Sequence, residues 1–166
     1  MLKLENITVL FDDLKALDHV NMEFMEGKIT GIIGTNGSGK STLMKVMTKL
    51  LKPQEGSVYL DQQLIQDKKK DLFAYRQEVN MVFQNPEQQL FYTIAKDDIG
   101  MALENLGYSK EECDKRVQEA IELMDIKELQ DRPVQYLSYG QKKKVAIAGM
   151  LALKPRFLLL DEPTAG

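Results

Sequence analysis

Apolar residues cluster in five short runs, at 7–11, 29–34, 57–60, 80–84 and 156–161. Their length and their Val, Ile, Leu and Phe content predict strands. The runs at 29–34 and 156–161 are almost continuously apolar, which is expected of strands covered on both faces of a sheet. After the second run the period changes. Leu43, Val46, Met47, Leu50 and Leu51 fall on one stripe of a helix that Pro53 brings to an end. From 86 to 153 the pattern is helical throughout, in "IAKDDIGMALENLG", in the stripe Cys113, Val117, Ile121 and Met124, and in "GQKKKVAIAGMLAL". Ser109 and Glu112 have the spacing of a capping box that opens the middle helix. Gly107 and Pro133 punctuate the segment, and neither an internal repeat nor a low-complexity linker interrupts it.

These elements predict one α/β domain over 1–166. Residues 1–85 and 154–166 supply its core, and 86–153 form a helical subdomain set between them. A chain of 166 residues is long enough to enclose one sizeable core.

Composition narrows the function classes. With 43% hydrophobic and 28% charged residues the chain has the balance of a globular protein. A formal charge of −3 supplies no overall field for nucleic acid, so no nucleic-acid partner is expected. No apolar run reaches bilayer length and "MLKLENITVL" is unlike a signal peptide, which points to the cytosol. Cys113 and His19 are the single cysteine and histidine, too few for an internal disulfide or a zinc cluster. Cys113 reads as a core residue of its stripe. Lys68–Lys70 and Lys142–Lys144 read as solvated faces, since neither interleaves with aromatics.

Chemistry enters at "GTNGSGKST". Gly34, four intervening residues, then Gly39, Lys40 and Ser41 match G-x-x-x-x-G-K-[ST] between a predicted strand and a predicted helix. Glycines at 34, 37 and 39 let successive main-chain N–H groups, with those of Thr35, Asn36 and Ser38, turn inward around phosphate oxygens. The N-terminus of the following helix adds partial positive charge. Lys40 is placed to reach the β- and γ-phosphates of a nucleotide, the Ser41 hydroxyl to ligate Mg²⁺, and Thr42 to add a phosphate contact. At the end of the last apolar run, Asp161 suits a Mg²⁺ partner and Glu162 suits the group that polarises an attacking water.

Three further stretches, "VFQNPEQQLFYT" (82–93), "YLSYGQKKKVAIAG" (136–149) and "LLLDEPTAG" (158–166), together with the phosphate turn, resemble an ABC transporter ATPase subunit over the whole chain. The resemblance implies a P-loop NTPase core with a mixed or parallel sheet, an antiparallel N-terminal β portion and the inserted helical subdomain. It implies ATP and Mg²⁺ as cofactors and roles for four further groups. Gln84 would touch Mg²⁺ or the attacking water and sense a transmembrane partner. Ser138, Tyr139, Gly140 and Gln141 would be the signature loop, which acts on the ATP of a second ATPase subunit, identical or paralogous. Phe11 would stack on adenine, with a place in the core as the alternative. Leu90, Phe91 and Tyr92 would form a groove for an integral membrane subunit, or pack in the core.

Within the family, "FQNPEQQLF", "QKKKVAIAG" and "DEPTAG" are similar to energy-coupling-factor importers, and the "EQQLFYT…DDI…NLG" run is similar to the cobalt-type ATPase. The implied activity is ATP hydrolysis coupled to import of a transition-metal ion, at the cytoplasmic face of the membrane. Two departures stand out. Tyr139 replaces a glycine of the family's L-S-G-G-Q, and the chain ends at Gly166 without the C-terminal part of the family's domain and its switch histidine, so by itself it is expected to bind nucleotide without efficient hydrolysis. A soluble ABC ATPase, a nucleotide-binding fragment without hydrolysis and a small-molecule P-loop kinase are the rival readings.

Overall fold

A computed structural model describes residues 1–163; Thr164–Gly166, the end of "DEPTAG", lie outside the described residues. The chain forms two compact units, 1–81 and 82–166.

The first unit is built on a four-stranded antiparallel sheet in the order β2-β1-β3-β4, comprising β1 (Leu2–Phe11), β2 (Leu14–Phe24), β3 (Glu55–Leu60) and β4 (Gln63–Leu64). β1 and β2 form a hairpin in which Phe11 pairs with Leu14 across Asp12 and Asp13. Asp12 has φ +49, the left-handed geometry that such a two-residue turn requires. Leu2, Leu4, Ile7, Val9 and Val58 are buried on the sheet. Helix α1 (Lys40–Met47) buries Leu43, Val46 and Met47. It stops before Leu50, which is exposed although it continues the predicted stripe. Helix α2 (Lys69–Glu78) completes the unit, with Tyr75 as its buried residue.

The expected buried strand at 29–34 does not form. Residues 25–35 contain no strand, and Ile29 and Ile33 are exposed. An apolar run becomes a strand only when a neighbour takes its N–H and C=O groups, and among the described residues this one has no such neighbour. The run at 80–84 is realised as β5 (Val79–Val82) and the run at 156–161 as β6 (Phe157–Leu160). These two make a two-stranded sheet, and the Asp161 N–H donates to the Val82 carbonyl at 3.1 Å.

The second unit is mostly helical, with α3 (Ala95–Asn105), α4 (Lys110–Leu123) and α5 (Tyr139–Ala152). Ile99, Leu103, Cys113, Val117, Ile121 and Val145 lie in one apolar core, which bears out the core reading of Cys113. α5 brings small residues to that core. A Cβ on Gly149 would lie 3.7 Å from the Ile99 Cα, so the α3 and α5 backbones approach closely. The Ser109–Glu112 box is only half made. Ser109 Oγ accepts from the Glu112 N–H at 3.3 Å, while the Glu112 carboxylate turns forward to Arg116 at 2.6 Å. An i,i+4 partner with a full charge is the stronger competitor for that carboxylate.

Candidate functional site

The phosphate turn lies wholly in the first unit. Gly37 and Gly39 have φ +81 and +91, and a Cβ on Gly39 would meet the Ala16 carbonyl oxygen at 2.5 Å. Only glycine fits position 39, because strand β2 runs directly beneath the turn. The turn closes through the Ser38 N–H to the Thr35 carbonyl at 3.2 Å, and α1 starts at once, with the Leu43 N–H donating to the Gly39 carbonyl at 2.8 Å. α1 has no side-chain cap and no acidic residue in its first turn, so its leading N–H groups and dipole stay available to an anion. Lys40 Nζ bridges the loop, donating to the Gly34 and Thr35 carbonyls at 2.9 Å each. Thr35, Asn36, Gly37 and Ser38 are exposed around it, and Ser41 and Thr42 occupy the first turn of α1. Phe11, at the tip of β1, is 48% exposed and therefore is not a core residue.

The second unit gathers other predicted residues. Gln84 follows β5 and Glu162 follows β6, and the Gln84 Nε2 donates to the Glu162 Oε2 at 2.6 Å. Asp161, between β6 and Glu162, is buried. The Tyr139 hydroxyl donates to the Gln84 main-chain carbonyl at 2.6 Å. Ser138 and Gln141 are turned on one another. Ser138 Oγ accepts from the Gln141 N–H at 3.3 Å, and Gln141 Oε1 accepts from the Ser138 N–H at 2.9 Å, a complete capping box for α5. Gly140 is exposed at the start of that helix.

Lys142–Lys144 is not a solvated face. Lys143 is only 4% exposed and donates to the Glu162 main-chain carbonyl. Lys142 pairs with Glu87 at 2.5 Å, and Lys144 alone of the three is exposed. Consecutive residues on a helix point about 100° apart, so a run of three spans about 200° and can turn one of its members inward. The spacing of Tyr139 and Lys143, one turn apart, was the available signal that both lie on the same side of α5.

Beside this cluster, an open cavity of about 280 Å³ is lined by Leu90, Phe91, Tyr92 and Val134, with Glu87 and Lys142 at its polar side. Phe91 and Tyr92 are exposed and Leu90 packs partly on the helical core. Asp98 of α3 holds the segment in place. Its Oδ1 accepts from the N–H groups of Phe91 and Tyr92 at 2.7 Å each. Burial pushes its carboxyl above the usual range, and the two N–H bonds hold it down in part. The sequence signal for Asp98 was weak, since an acidic residue in a first helical turn is ordinary.

Residues 17–165 match the family described as ABC transporter. A cobalt import ATP-binding protein of Salmonella paratyphi A is 46% identical over 166 residues, covering 100% of this chain and 61% of the relative. Two solved structures superpose with TM-scores of 0.88. One, from Clostridium perfringens, is cbiO1, part of the ABC transporter complex cbiONQ, at 40% identity over 99% of this chain and 66% of that one. The other is a dimeric ATP-binding cassette in a post-hydrolysis state with ADP and Pi, at 32% identity over 99% of this chain and 75% of that one. The chain spans about 60% of the length of the curated relatives it matches.

Proposed function

The chain belongs to the ABC transporter family, a P-loop NTPase fold, and from that membership we propose that it is the ATP-binding part of an energy-coupling-factor importer ATPase. On this reading residues 1–166 are a single nucleotide-binding domain. The phosphate turn carries it, because an uncapped helix start, a glycine that strand β2 leaves no room to replace and a lysine bridging the loop make an anion cradle. Residues 34–42 take the triphosphate, Phe11 offers an exposed face to the base, and Lys40 neutralises phosphate charge. Ser41, Gln84 and Asp161 offer hydroxyl, amide and carboxylate oxygens, the hard donor set that suits Mg²⁺. A magnesium ion held by such oxygens would supply charge neutralisation at the β- and γ-phosphates.

Glu162 orients the attacking water and Gln84 steadies it, a reading supported by their 2.6 Å contact. Phosphoryl transfer is mostly placement and charge stabilisation, and the family resemblance implies that each chain brings half of two sites. The signature loop at Ser138–Gln141 would complete the site of a second subunit, a reading that suits a family in which one solved relative is a dimer. The N–H groups of Tyr139 and Gly140 are the donors it has to offer, since the capping box takes up the N–H groups of Ser138 and Gln141 along with their side chains. The cavity at Leu90, Phe91 and Tyr92 suits an apolar helix end from an integral membrane subunit, which would seat the protein at the cytoplasmic face of the membrane. Cobalt is the cargo favoured by the similarity to the Salmonella protein.

Calorimetry on the full-length protein tests the reading. Magnesium-dependent ATP binding is expected, and Lys40→Ala should weaken it by about tenfold or more. In the assembled transporter, Glu162→Gln should lower phosphate release by roughly tenfold or more. Absence of ATP binding refutes the assignment.

A further inference from the structure

Gln84 and Glu162 stand on segments that have just left β5 and β6, beyond the Asp161 N–H to Val82 bond. Something else must fix them. Glu162 moreover has φ +46, a left-handed geometry rare outside glycine, which persists only where its surroundings impose it. The first two turns of α5 supply those surroundings. Lys143 donates to the Glu162 main-chain carbonyl, and the Tyr139 hydroxyl donates to the Gln84 main-chain carbonyl at 2.6 Å. The Lys143 ammonium also lies 5.7 Å from the Tyr139 ring centroid. With the Gln84 amide on the Glu162 carboxylate, the four residues form a closed ring of contacts.

Lys143 is 4% exposed, and an ammonium is costly to bury unless its charge is directed at an acceptor. Its grip is on main chain, which leaves the Glu162 carboxylate free to accept. Tyr139 likewise holds backbone, so the Gln84 amide is aimed without being consumed. The phenol is the feature a glycine at this position would lack.

We propose that Tyr139 and Lys143 are positioning residues for hydrolysis: α5 holds the chain's own Gln84 and Glu162 in their catalytic spacing. The inference rests on the ATPase reading above. It gives the signature helix a second task besides presenting its N-terminus to a partner's nucleotide.

The test uses the full-length protein in its assembled transporter, with Tyr139→Phe and Lys143→Met. Each should lower kcat by roughly fivefold or more while KM for MgATP, and ATP affinity by calorimetry, stay within about twofold. In the nucleotide-free full-length protein, Tyr139→Phe should also speed amide hydrogen exchange in residues 82–89 by about threefold or more, with α3 and α4 unchanged. An unchanged kcat overturns the proposal. So does a loss confined to KM, or exchange that rises throughout the helical core, since either marks a merely structural role. If Glu162→Gln leaves phosphate release intact, the ATPase reading fails and this proposal with it; if Glu162→Gln abolishes release and both positioning variants are normal, this proposal alone fails.

Discussion

Gly39 stands over the Ala16 carbonyl so closely that a Cβ at position 39 would come within 2.5 Å of that oxygen, at φ +91. Gly39→Ala therefore combines a clash with a left-handed backbone, and the chain can relieve it only by moving the phosphate turn away from β2. The expected cost is about 1–3 kcal/mol in urea unfolding. ATP affinity should fall by roughly tenfold or more, because the N–H groups that line the turn would shift with it.

The C-terminal end of α1 is held by α2. The Tyr75 hydroxyl donates to the Met47 carbonyl, and Arg76 donates to the Thr48 and Lys49 carbonyls, at 3.3 and 2.7 Å. Three carbonyls that α1 cannot satisfy internally are thus taken up by two adjacent side chains. Burial pushes the Tyr75 phenol well above the ordinary tyrosine range, so it stays a donor at any working pH. Tyr75→Phe should cost about 1–2 kcal/mol, the usual result of stranding a buried carbonyl. A melt indistinguishable from wild type would show that water replaces the phenol.

What the sequence made legible follows the strength of its local signals. The phosphate turn was readable because glycine spacing and the start of a helix coincide there. The α4 stripe was readable because Cys113, Val117 and Ile121 keep one period and all are buried. Strand β2 was not found, since its buried positions are few and its hairpin turn is Asp-Asp, a weaker signal than Asn-Gly. Helix α2 escaped for a similar reason, with Tyr75 as its one buried residue. The run at 29–34 misled in the opposite sense: its composition suits a strand, but pairing is a property of neighbours, and composition is silent about them. Contacts at the candidate site were hardest. That Tyr139 reaches Gln84 and Lys143 reaches Glu162 depends on loops 55 and 19 residues away.

Phe11 offers a clean separation of stability from binding. It is 48% exposed at the end of β1, and its strand partner Leu14 is exposed as well. Phe11→Ala should therefore change unfolding free energy by no more than about 0.5 kcal/mol. If the ring stacks on adenine, the same change should weaken ATP by about 1–3 kcal/mol, the range for a base on an aromatic face. Inorganic triphosphate, which has no base, should bind both forms equally. Equal ATP affinity in the two proteins would remove Phe11 from the site.

Asp98 ties the Phe91–Tyr92 segment to α3, and its titration should be visible in stability. Its carboxyl in the folded chain lies above the ordinary value of 3.8 because burial outweighs the two N–H bonds it accepts. The folded state then holds this proton more tightly than the unfolded one. Its contribution is greatest below that ordinary value and is lost as pH rises through the folded value. Asp98→Asn keeps an oxygen for both N–H groups and cannot ionise. Unfolding free energies measured from about pH 4 to pH 7 should therefore show the variant losing less stability, or gaining more, than wild type. Asp98→Ala removes the acceptor, should cost about 1–3 kcal/mol at any pH, and should free the apolar segment that lines the cavity. Parallel pH curves for wild type and Asp98→Asn would mean that the carboxylate is better solvated than its burial implies.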